Sequence, residues 1–229
     1  MKRGGMFWIV CLCGLVGWAS VAGASLQFST GGANTYSWTV EVTSGVATIS
    51  FENNEVDASD PSPDAVLNDF LDMPSMTLSG ITPTTIPPGV DVITASLVPD
   101  GSPLTITSDV AVGPVPAATE VMSADVAVGG LLTVGTNFIA YSNEADDLDL
   151  IGYEAGYSAV IDGFAAAEAA GIDLDLSFGG DASASLYQLL ADLNDGSVSG
   201  TLSGQIVPEP MTLSLCALGA AVLLRRRKR

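Results

Sequence analysis

Carboxylates are the main side chains that could carry chemistry in the body of this chain. All seven Lys and Arg residues lie at its two ends, there is no His, and all 26 Asp and Glu lie between Ser25 and Leu224. The missing side chains exclude nucleophiles activated by His or Lys, Cys nucleophiles, His or Cys zinc sites and Lys-containing phosphate loops. Two-carboxylate chemistry, as in glycosidases and aspartic proteases, survives this exclusion.

Two observations weigh against that chemistry. The Asp-Gly-Ser sequences at 100–102 and 195–197 differ from the Asp-Thr/Ser-Gly motif of aspartic proteases, and we interpret them as turns. Glycosidases usually offer several aromatic side chains to the sugar, whereas the body has one Trp, Trp38, on a predicted core face. Trp38 is therefore expected to be a packing residue.

Calcium binding is a more natural use of carboxylates in so acidic a body, because Ca²⁺ takes six to eight oxygen ligands. The densest acidic segment contains Asn143, Glu144, Asp146, Asp147 and Asp149. A second group is Asp173 and Asp175. Neither has EF-hand spacing, and a solvated acidic face is favoured for both. No cofactor is expected, and calcium at Asp146, Asp147 and Asp149 is kept as the candidate metal site.

The charge distribution restricts the partners. The net charge is -19, and the body contributes more negative charge than this, since all basic residues lie outside it. Binding to nucleic acid needs Lys and Arg to displace counterions, and an anionic lipid surface would repel the body. Nucleic acid is therefore excluded, whereas cations or a basic partner are compatible with the body.

The N-terminus has the features of a signal peptide. Lys2 and Arg3 precede an apolar run over 6–18, and Ala22-Gly23-Ala24 is the small-x-small pattern that signal peptidase accepts. We predict a signal peptide over 1–24, cleaved between Ala24 and Ser25. The three cysteines, Cys11, Cys13 and Cys216, all lie in this leader or in the C-terminal tail, so the exported body has no disulfide.

The C-terminus combines a rigid motif, an apolar segment and a basic end. Prolines flank Glu209 in Val207-Pro208-Glu209-Pro210, which predicts an extended, non-helical peptide. The apolar segment 211–224 is about 14 residues, or about 21 Å as a helix, shorter than the ~30 Å core of a bilayer. The basic tail, Arg225, Arg226, Arg227, Lys228 and Arg229, favours a cytoplasmic end.

This three-part tail resembles the PEP-CTERM sorting signal of bacteria, on the strength of Val207, Pro208, Glu209 and Pro210, the apolar segment and the Arg-rich end in that order. The resemblance covers about the last 23 residues. It implies recognition of the motif by an exosortase-like processing enzyme at the inner membrane, removal of the basic end, and transfer to the cell surface or extracellular matrix. It implies nothing about what the body does there.

The body, 25–206, reads as mainly β. Tyr36, Trp38, Val40 and Val42 alternate with polar residues, as do Ala47, Ile49 and Phe51, and Thr43-Ser44-Gly45 between them predicts a β-hairpin. Further strands are predicted over 26–29, 131–141 and 172–178, with short proline-punctuated strands over 76–128. Val198, Leu202 and Ile206 indicate a final strand or tether.

Short helices are predicted at three places. Pro63 to Leu71 has a Ser-Pro-Asp start and apolar residues at helical spacing, Ser158 to Ala170 is Ala-rich and precedes Gly171, and Leu186 to Leu193 repeats Leu at i, i+3, i+4 and i+7. At about 180 residues the body suits one domain. We expect a single sandwich or jelly-roll-like domain with two or three short helices, flanked by the signal peptide and the sorting helix.

Two functions are consistent with these features. The first is a structural or adhesive, non-enzymatic protein of the cell surface or matrix, which associates with exopolysaccharide. Its partners during export are signal peptidase and an exosortase-like enzyme, and it contacts the membrane only through its C-terminal helix before processing. The alternative is a carbohydrate-binding or two-carboxylate carbohydrate-acting domain, motivated by the β-rich body and the surviving carboxylates.

Overall fold

The computed structural model describes residues 24–31, 34, 37–60, 64–86, 90–127, 130–142 and 148–208. These residues form fifteen strands and two helices. The strands are β1 (Ser25–Thr30), β2 (Trp38–Thr43), β3 (Val46–Phe51), β4 (Asn54–Asp60), β5 (Phe70–Asp72), β6 (Met76–Ile86), β7 (Val90–Pro99), β8 (Leu104–Thr107), β9 (Glu120–Val126), β10 (Leu131–Val134), β11 (Phe138–Ser142), β12 (Leu148–Tyr153), β13 (Leu174–Asp181), β14 (Gly196–Gly200) and β15 (Ser203–Pro208). The helices are α1 (Ala159–Ala169) and α2 (Ala184–Asp192).

Eight of the strands close into a barrel. Their order is β12-β9-β8-β5-β4-β1-β15-β13, and Leu148 of β12 pairs with Leu174 of β13 to complete the ring. Every pairing in this ring is antiparallel. Along each strand, successive side chains alternate between the inside and the outside of the barrel. The prediction of a mainly β body is confirmed, while the architecture is a closed barrel with additional strands instead of two stacked sheets.

The additional strands extend from β13, which serves both parts of the sheet. Its start pairs with β12, and its later residues Phe178–Asp181 pair with β11 on the same side. From β11 the order continues through β10, β7, β6, β3, β2 and β14. Helix α1 packs on β12, β13 and β15, and α2 packs on β14, β6, β7 and β2. Buried apolar residues of the barrel and of the extension form one continuous core.

The β2–β3 hairpin is confirmed with the predicted loop. Ser44 and Gly45 both have positive φ, 54° and 78°, which is the backbone geometry that matches the twist of two paired strands. Trp38, Val40, Ala47 and Ile49 are buried. The alternation in the sequence therefore identified the core face correctly.

Two of the three predicted helices are confirmed. Helix α1 starts after Ser158, whose hydroxyl accepts a hydrogen bond from the Ile161 N–H at 3.2 Å, and Gly171 with φ 71° follows its end. Helix α2 ends at Leu193, which has the left-handed φ of 50°. The buried faces, with Phe164 on α1 and Leu190 on α2, are those that the spacing predicts.

The helix predicted over Pro63 to Leu71 is wrong. Residues 61–63 lie outside the described ranges, 65–68 form a turn, and Phe70 begins β5. Asn68 has φ 67°, a conformation that ends a helix and that Asn tolerates. The buried carboxyl of Asp69 then draws the chain toward Tyr157, so a tertiary contact replaces the local preference.

Two strand predictions need correction. The single strand expected over 131–141 is a hairpin of β10 and β11, in which the Gly135 N–H donates to the Phe138 carbonyl at 2.8 Å. Strand β4 lies in a segment for which no strand was predicted, because its inward side chains are the polar Asn54 and Ser59 as well as Val56. Pro83 lies on the part of β6 that pairs with β7 alone, so it occupies an edge as expected.

Candidate functional site

The residues around the predicted signal-peptide cleavage site lie at one end of the barrel. Ser25 is the first residue of β1, and Ala24 before it is buried. A Cβ placed on Gly163 of α1 would come within 2.7 Å of the Ala24 Cβ, so the chain passes closely over the helix here. Ala22 and the rest of the predicted leader lie outside the described residues.

The first half of the predicted sorting motif belongs to the barrel wall. Val207 and Pro208 end β15, in register with Asp175 and Leu174 of β13. Pro208 has no N–H to donate, which a strand end tolerates. Glu209 and Pro210, the apolar segment 211–224 and the basic tail, Arg225, Arg226, Arg227, Lys228 and Arg229, lie outside the described residues. The extended geometry predicted for the motif is therefore present at its first two residues.

The calcium candidates are only partly described. Asp146 and Asp147 lie outside the described residues, while Asp149 is exposed on β12, directly opposite the exposed Asp125 of β9. Within the described ranges no group of three or more acidic, His or Cys residues could hold a metal ion. In the second group, Asp173 precedes β13 and Asp175 lies within it.

Asp125 of β9 and Asp149 of β12 lie directly opposite each other, and we expect their repulsion to lower the free energy of unfolding. Replacing Asp125 with Asn should stabilise the fold by about 0.2–1 kcal/mol, because like charges directly opposite in an antiparallel pair repel. Urea unfolding would measure the gain, which should shrink in ~1 M salt. Asp181→Asn is a matched control, since Asp181 is exposed and faces Phe138. A loss of stability on Asp125→Asn in calcium buffer would instead show that this pair binds the cation.

Asp69, which the sequence analysis did not single out, is a buried carboxyl group in contact with Tyr157, just before the start of α1. Asp69 is fully buried: its Oδ2 accepts a hydrogen bond from the Tyr157 hydroxyl at 2.8 Å, and its Oδ1 accepts from the Asp109 N–H at 2.9 Å. Tyr157 and Asp69 are 88 positions apart in the sequence. This separation explains why no local pattern indicated the pair.

A second carboxylate fixes the same loop to the helix. Asp64 Oδ1 accepts from the Val66 N–H at 3.1 Å, and its Oδ2 accepts from the Ala159 and Val160 N–H groups at 2.9 and 3.3 Å. Those two N–H groups belong to the first turn of α1, where the helix dipole favours negative charge. The 64–69 loop is thus fastened to the start of α1 by hydrogen bonds to the backbone.

The buried pair has shifted ionisation. Burial raises the pKa of the Asp69 carboxyl, and the charges of Asp109 and Asp64 add to the rise, although the two hydrogen bonds to Asp69 oppose it. Burial and the adjacent Asp69 raise the pKa of the Tyr157 hydroxyl above its usual range. Because both oxygens of Asp69 are engaged inside the fold, we interpret it as a structural acid and not as a catalytic one.

The turn interpretation of the Asp-Gly-Ser sequences is confirmed at 100–102 and wrong at 195–197, where Gly196 and Ser197 begin β14. Asp100 Oδ1 accepts from the Ser102 N–H at 2.8 Å around Gly101, which has φ 91°. Asp195 Oδ1 accepts from the Ser44 N–H at 2.7 Å, which joins the start of β14 to the β2–β3 turn. The Asp100 carboxylate therefore holds its own turn, whereas the Asp195 carboxylate holds the turn of the β2–β3 hairpin.

An acidic cleft of about 280 Å³ lies where the ends of β3, β4, β5 and β8 meet, and we call it the Asn54 cleft. Three carboxylates line it: Glu52, Glu55 and Asp72. Phe70 also lines it and is 48% exposed. No residue of this cleft was among the sequence-predicted sites, because its parts come from four separate strands.

The amide side chains of the cleft differ in their bonding. Asn34 Nδ2 donates to the Gly31 carbonyl at 2.8 Å, which holds one rim. Asn54 is 1% exposed, and neither its Nδ2 nor its Oδ1 has a hydrogen-bond partner among the described residues. A buried amide without partners is uncommon in folded proteins and calls for a physical explanation.

These features define a mainly β protein with a closed eight-stranded barrel, an acidic cleft, and the start of β1 and the end of β15 at one end of the barrel. Neither helix in the described part of the chain has the length and apolar content needed to cross a bilayer. Comparison with protein-family models, curated proteins and solved structures gives no match for this chain.

Proposed function

We propose that the protein is exported, held at the inner membrane by its C-terminal segment, and transferred to the cell surface or extracellular matrix as a structural or adhesive, non-enzymatic protein. The observation that carries the proposal is the pairing of β1 with β15, with Leu26 opposite Ile206. Because these neighbours are antiparallel, the chain enters β1 and leaves β15 at the same end of the barrel. The proposed leader and tail therefore both join that end.

This arrangement suits a body attached to a membrane during export. With both apolar segments joined to one end, the body can rest on the outer face of the membrane without the chain wrapping around the barrel. The body carries no Lys or Arg, so an anionic lipid surface repels the rest of it. The tail is then the main link to the membrane, and its removal frees the protein.

The short connection between barrel and tail limits how the motif is recognised. Glu209 and Pro210 alone separate β15 from the apolar segment that starts at Met211. An exosortase-like enzyme that reads all four motif residues must therefore act before β15 pairs, or must release Val207 and Pro208 from β13. The motif and the last barrel strand share these two residues.

The non-enzymatic part of the proposal is supported by the chemistry of the described residues. Asp69 is the one fully buried carboxyl group among them, and both of its oxygens accept hydrogen bonds within the fold. The remaining polar burial is made of Ser and Asn side chains. Without His, Lys or Cys in the body, no Cys nucleophile and no Ser nucleophile activated by His or Lys can be assembled there.

Truncation after Pro208 tests the sorting step. This variant keeps β15 whole and removes residues 209–229, so the body should fold normally while most of the protein is lost from the surface fraction of the native host. Fractionation with immunoblotting would measure the change. Glu209→Ala should act in the same direction, with Glu154→Ala as the matched control at an exposed position outside the tail.

Two results would contradict the sorting proposal. One is an unchanged amount of the truncated protein at the cell surface. The other is mass-spectrometric detection of the intact end, Arg225 to Arg229, on mature surface protein in a host that has the processing enzyme. Either would show that the tail is an ordinary extension.

Carbohydrate binding is a second candidate function, and the Asn54 cleft favours it. The cleft combines carboxylates, amides and a partly exposed aromatic ring, which are the side chains that contact sugar hydroxyls and sugar rings. A glycan array with the purified exported protein would test it. Binding to no glycan would leave the structural role as the sole proposal.

A further inference from the structure

Strand β14 is an open edge of the sheet. Among the residues that the structure describes it pairs with β2 alone, and it is the last strand in the order of the extension. A strand with one neighbour has N–H and C=O groups on its other side that can pair with a further strand. Ser197 and Ser199 are exposed, so a second chain can reach this edge.

The devices that usually protect an edge are missing from β14. Gly196–Gly200 contains no charged residue and no proline, and its register with β2 runs without a bulge. Another edge in the same sheet does carry such a device, since Pro83 occupies the part of β6 that pairs with β7 alone. Strand β14 is therefore suited to accept a further strand.

The sequence of β14 favours a second copy of the same strand as the partner. Gly196-Ser197-Val198-Ser199-Gly200 reads the same in both directions. In an antiparallel pair with a two-fold axis at Val198, glycine faces glycine, serine faces serine and valine faces valine, and each copy presents the same surface to the other. Facing serines can exchange hydrogen bonds, and facing valines can pack.

A groove between α2 and β14 has room for the valine of the second copy. It measures about 480 Å³, and Leu189, Gly196 and Val198 are among its lining residues. Val198 lies opposite the buried Val40, so its side chain is on the inner face of the sheet. A two-fold axis normal to the sheet keeps the second Val198 on that same face. Each Val198 is half-buried in one copy and becomes further covered by the other.

Electrostatics also favour this edge for a contact between copies. The body has no basic residue, so two copies repel where their carboxylates meet. In the symmetric register Asp195 faces Thr201, and the two Glu41 side chains lie three strand spacings apart, about 14 Å, beyond the Debye length of about 8 Å at physiological ionic strength. Asp192 also lines the groove and adds repulsion that salt screens.

We propose that two copies of the protein associate through β14, as an antiparallel pair centred on Val198 that joins their sheets into one. The contact is short compared with a standard protein interface, so the association is weak and depends on protein concentration. This inference goes beyond the proposed function by naming a partner for a structural protein. It does not depend on the tail, so its failure would leave the sorting proposal unaffected.

Sedimentation velocity of the purified exported protein would measure the association. The dimer fraction should rise with protein concentration, and rise further in ~1 M NaCl, which screens repulsion between the bodies. Ser197→Glu/Ser199→Glu places glutamate opposite glutamate twice and should weaken association about tenfold. Ser79→Glu/Ser96→Glu is the matched control: it adds the same charge at an exposed, facing serine pair of β6 and β7 and should leave association close to that of the natural protein.

Cysteine variants test the register. Val198→Cys should give a disulfide-linked dimer on mild oxidation, because directly opposite residues have Cα atoms about 4.5–5.5 Å apart, within the range that a disulfide spans. Ser197→Cys is the matched control, since position 197 faces Ser199 of the second copy. Its two thiol groups then lie on a diagonal, with Cα atoms roughly 7–8 Å apart, and should not link. The natural protein serves as the blank, because the body has no cysteine.

Three results would overturn the proposal. The first is a monomer at every protein concentration in high salt. The second is association that Ser197→Glu/Ser199→Glu weakens no more than its control does. The third is a Val198→Cys variant that fails to link, or that links no better than Ser197→Cys, which would indicate random collision or another register. If the glutamate variant fails to fold, the cysteine variants decide, because they change the size of the side chains little.

Discussion

Replacing Trp38 with alanine is expected to lower the free energy of unfolding by about 3–5 kcal/mol, the largest effect of any single substitution that we predict. Trp38 is fully buried at the start of β2, between Phe51 of β3 and Gly200 of β14 in the register. Its indole Nε1 donates to the Thr201 carbonyl at 2.9 Å. The substitution leaves a large cavity and an unpaired carbonyl at the same point.

The surroundings make it difficult for the site to collapse around that cavity. A Cβ on Gly200 would overlap the Trp38 ring, so β14 approaches the indole as closely as backbone can. Small domains are stable by about 5–15 kcal/mol, so the expected loss is a large share of the total. Urea unfolding, monitored by circular dichroism, would measure this loss. Trp fluorescence cannot be used, because Trp38 is the one Trp in the body and the variant lacks it.

Two further variants serve as comparisons for Trp38→Ala. Trp38→Phe keeps most of the packing and should cost less than Trp38→Ala, with the lost Nε1 hydrogen bond as the main term. Tyr153→Ala, at an exposed aromatic, should change stability little. A loss below about 1 kcal/mol for Trp38→Ala would show that the contact between β2 and β14 does not contribute to the core.

Replacing Asp69 with alanine should cost about 2–3 kcal/mol, because the Tyr157 hydroxyl and the Asp109 N–H lose their acceptor inside the fold. Asp69→Asn should be close to neutral at pH 7. The amide oxygen still accepts from Asp109, its nitrogen can donate to the Tyr157 oxygen, and no charge is buried. Tyr157→Phe should fall between the two.

The same residue predicts an acid-stabilised fold. Burial raises the pKa of Asp69 in the folded state, so its contribution to stability is complete below the ordinary Asp value of about 3.9 and is lost as pH rises through the folded-state pKa. Stability should therefore increase as pH falls toward 4, and mutual repulsion among the other carboxylates adds to the trend. Asp69→Asn should flatten the part due to this residue. A steeper pH dependence in Asp69→Asn than in the natural protein would contradict the assignment.

Much of the local structure was predictable because it depends on neighbours along the chain. The β2–β3 hairpin follows from side chains that alternate around Ser44-Gly45, and α1 and α2 follow from apolar spacing and from residues such as Ser158 and Gly171. Where a distant contact competes, prediction fails. The 63–71 segment has helical spacing, yet Asn68 and the buried Asp69 turn it toward Tyr157.

The candidate site was beyond sequence analysis for the same reason. No strand was predicted at Asn54, since an inward polar side chain breaks the alternation that identifies a strand. Glu52, Phe70 and Thr107 meet at one cleft because β4 pairs with β5 and β5 pairs with β8. No spacing in the chain records those pairings.

The amino-acid sequence by itself determined the absence of His, Lys and Cys from the body, the separation of basic ends from an acidic body, and the short-range elements, since these depend on residue type and near neighbours. The predictions of export and sorting also come from the sequence alone. The tertiary structure decided that the strands close into a barrel, that both body termini lie at one end, and that Val207 and Pro208 belong to β15. These outcomes depend on which distant strands pair to bury the apolar faces, and that choice minimises the free energy of the whole chain.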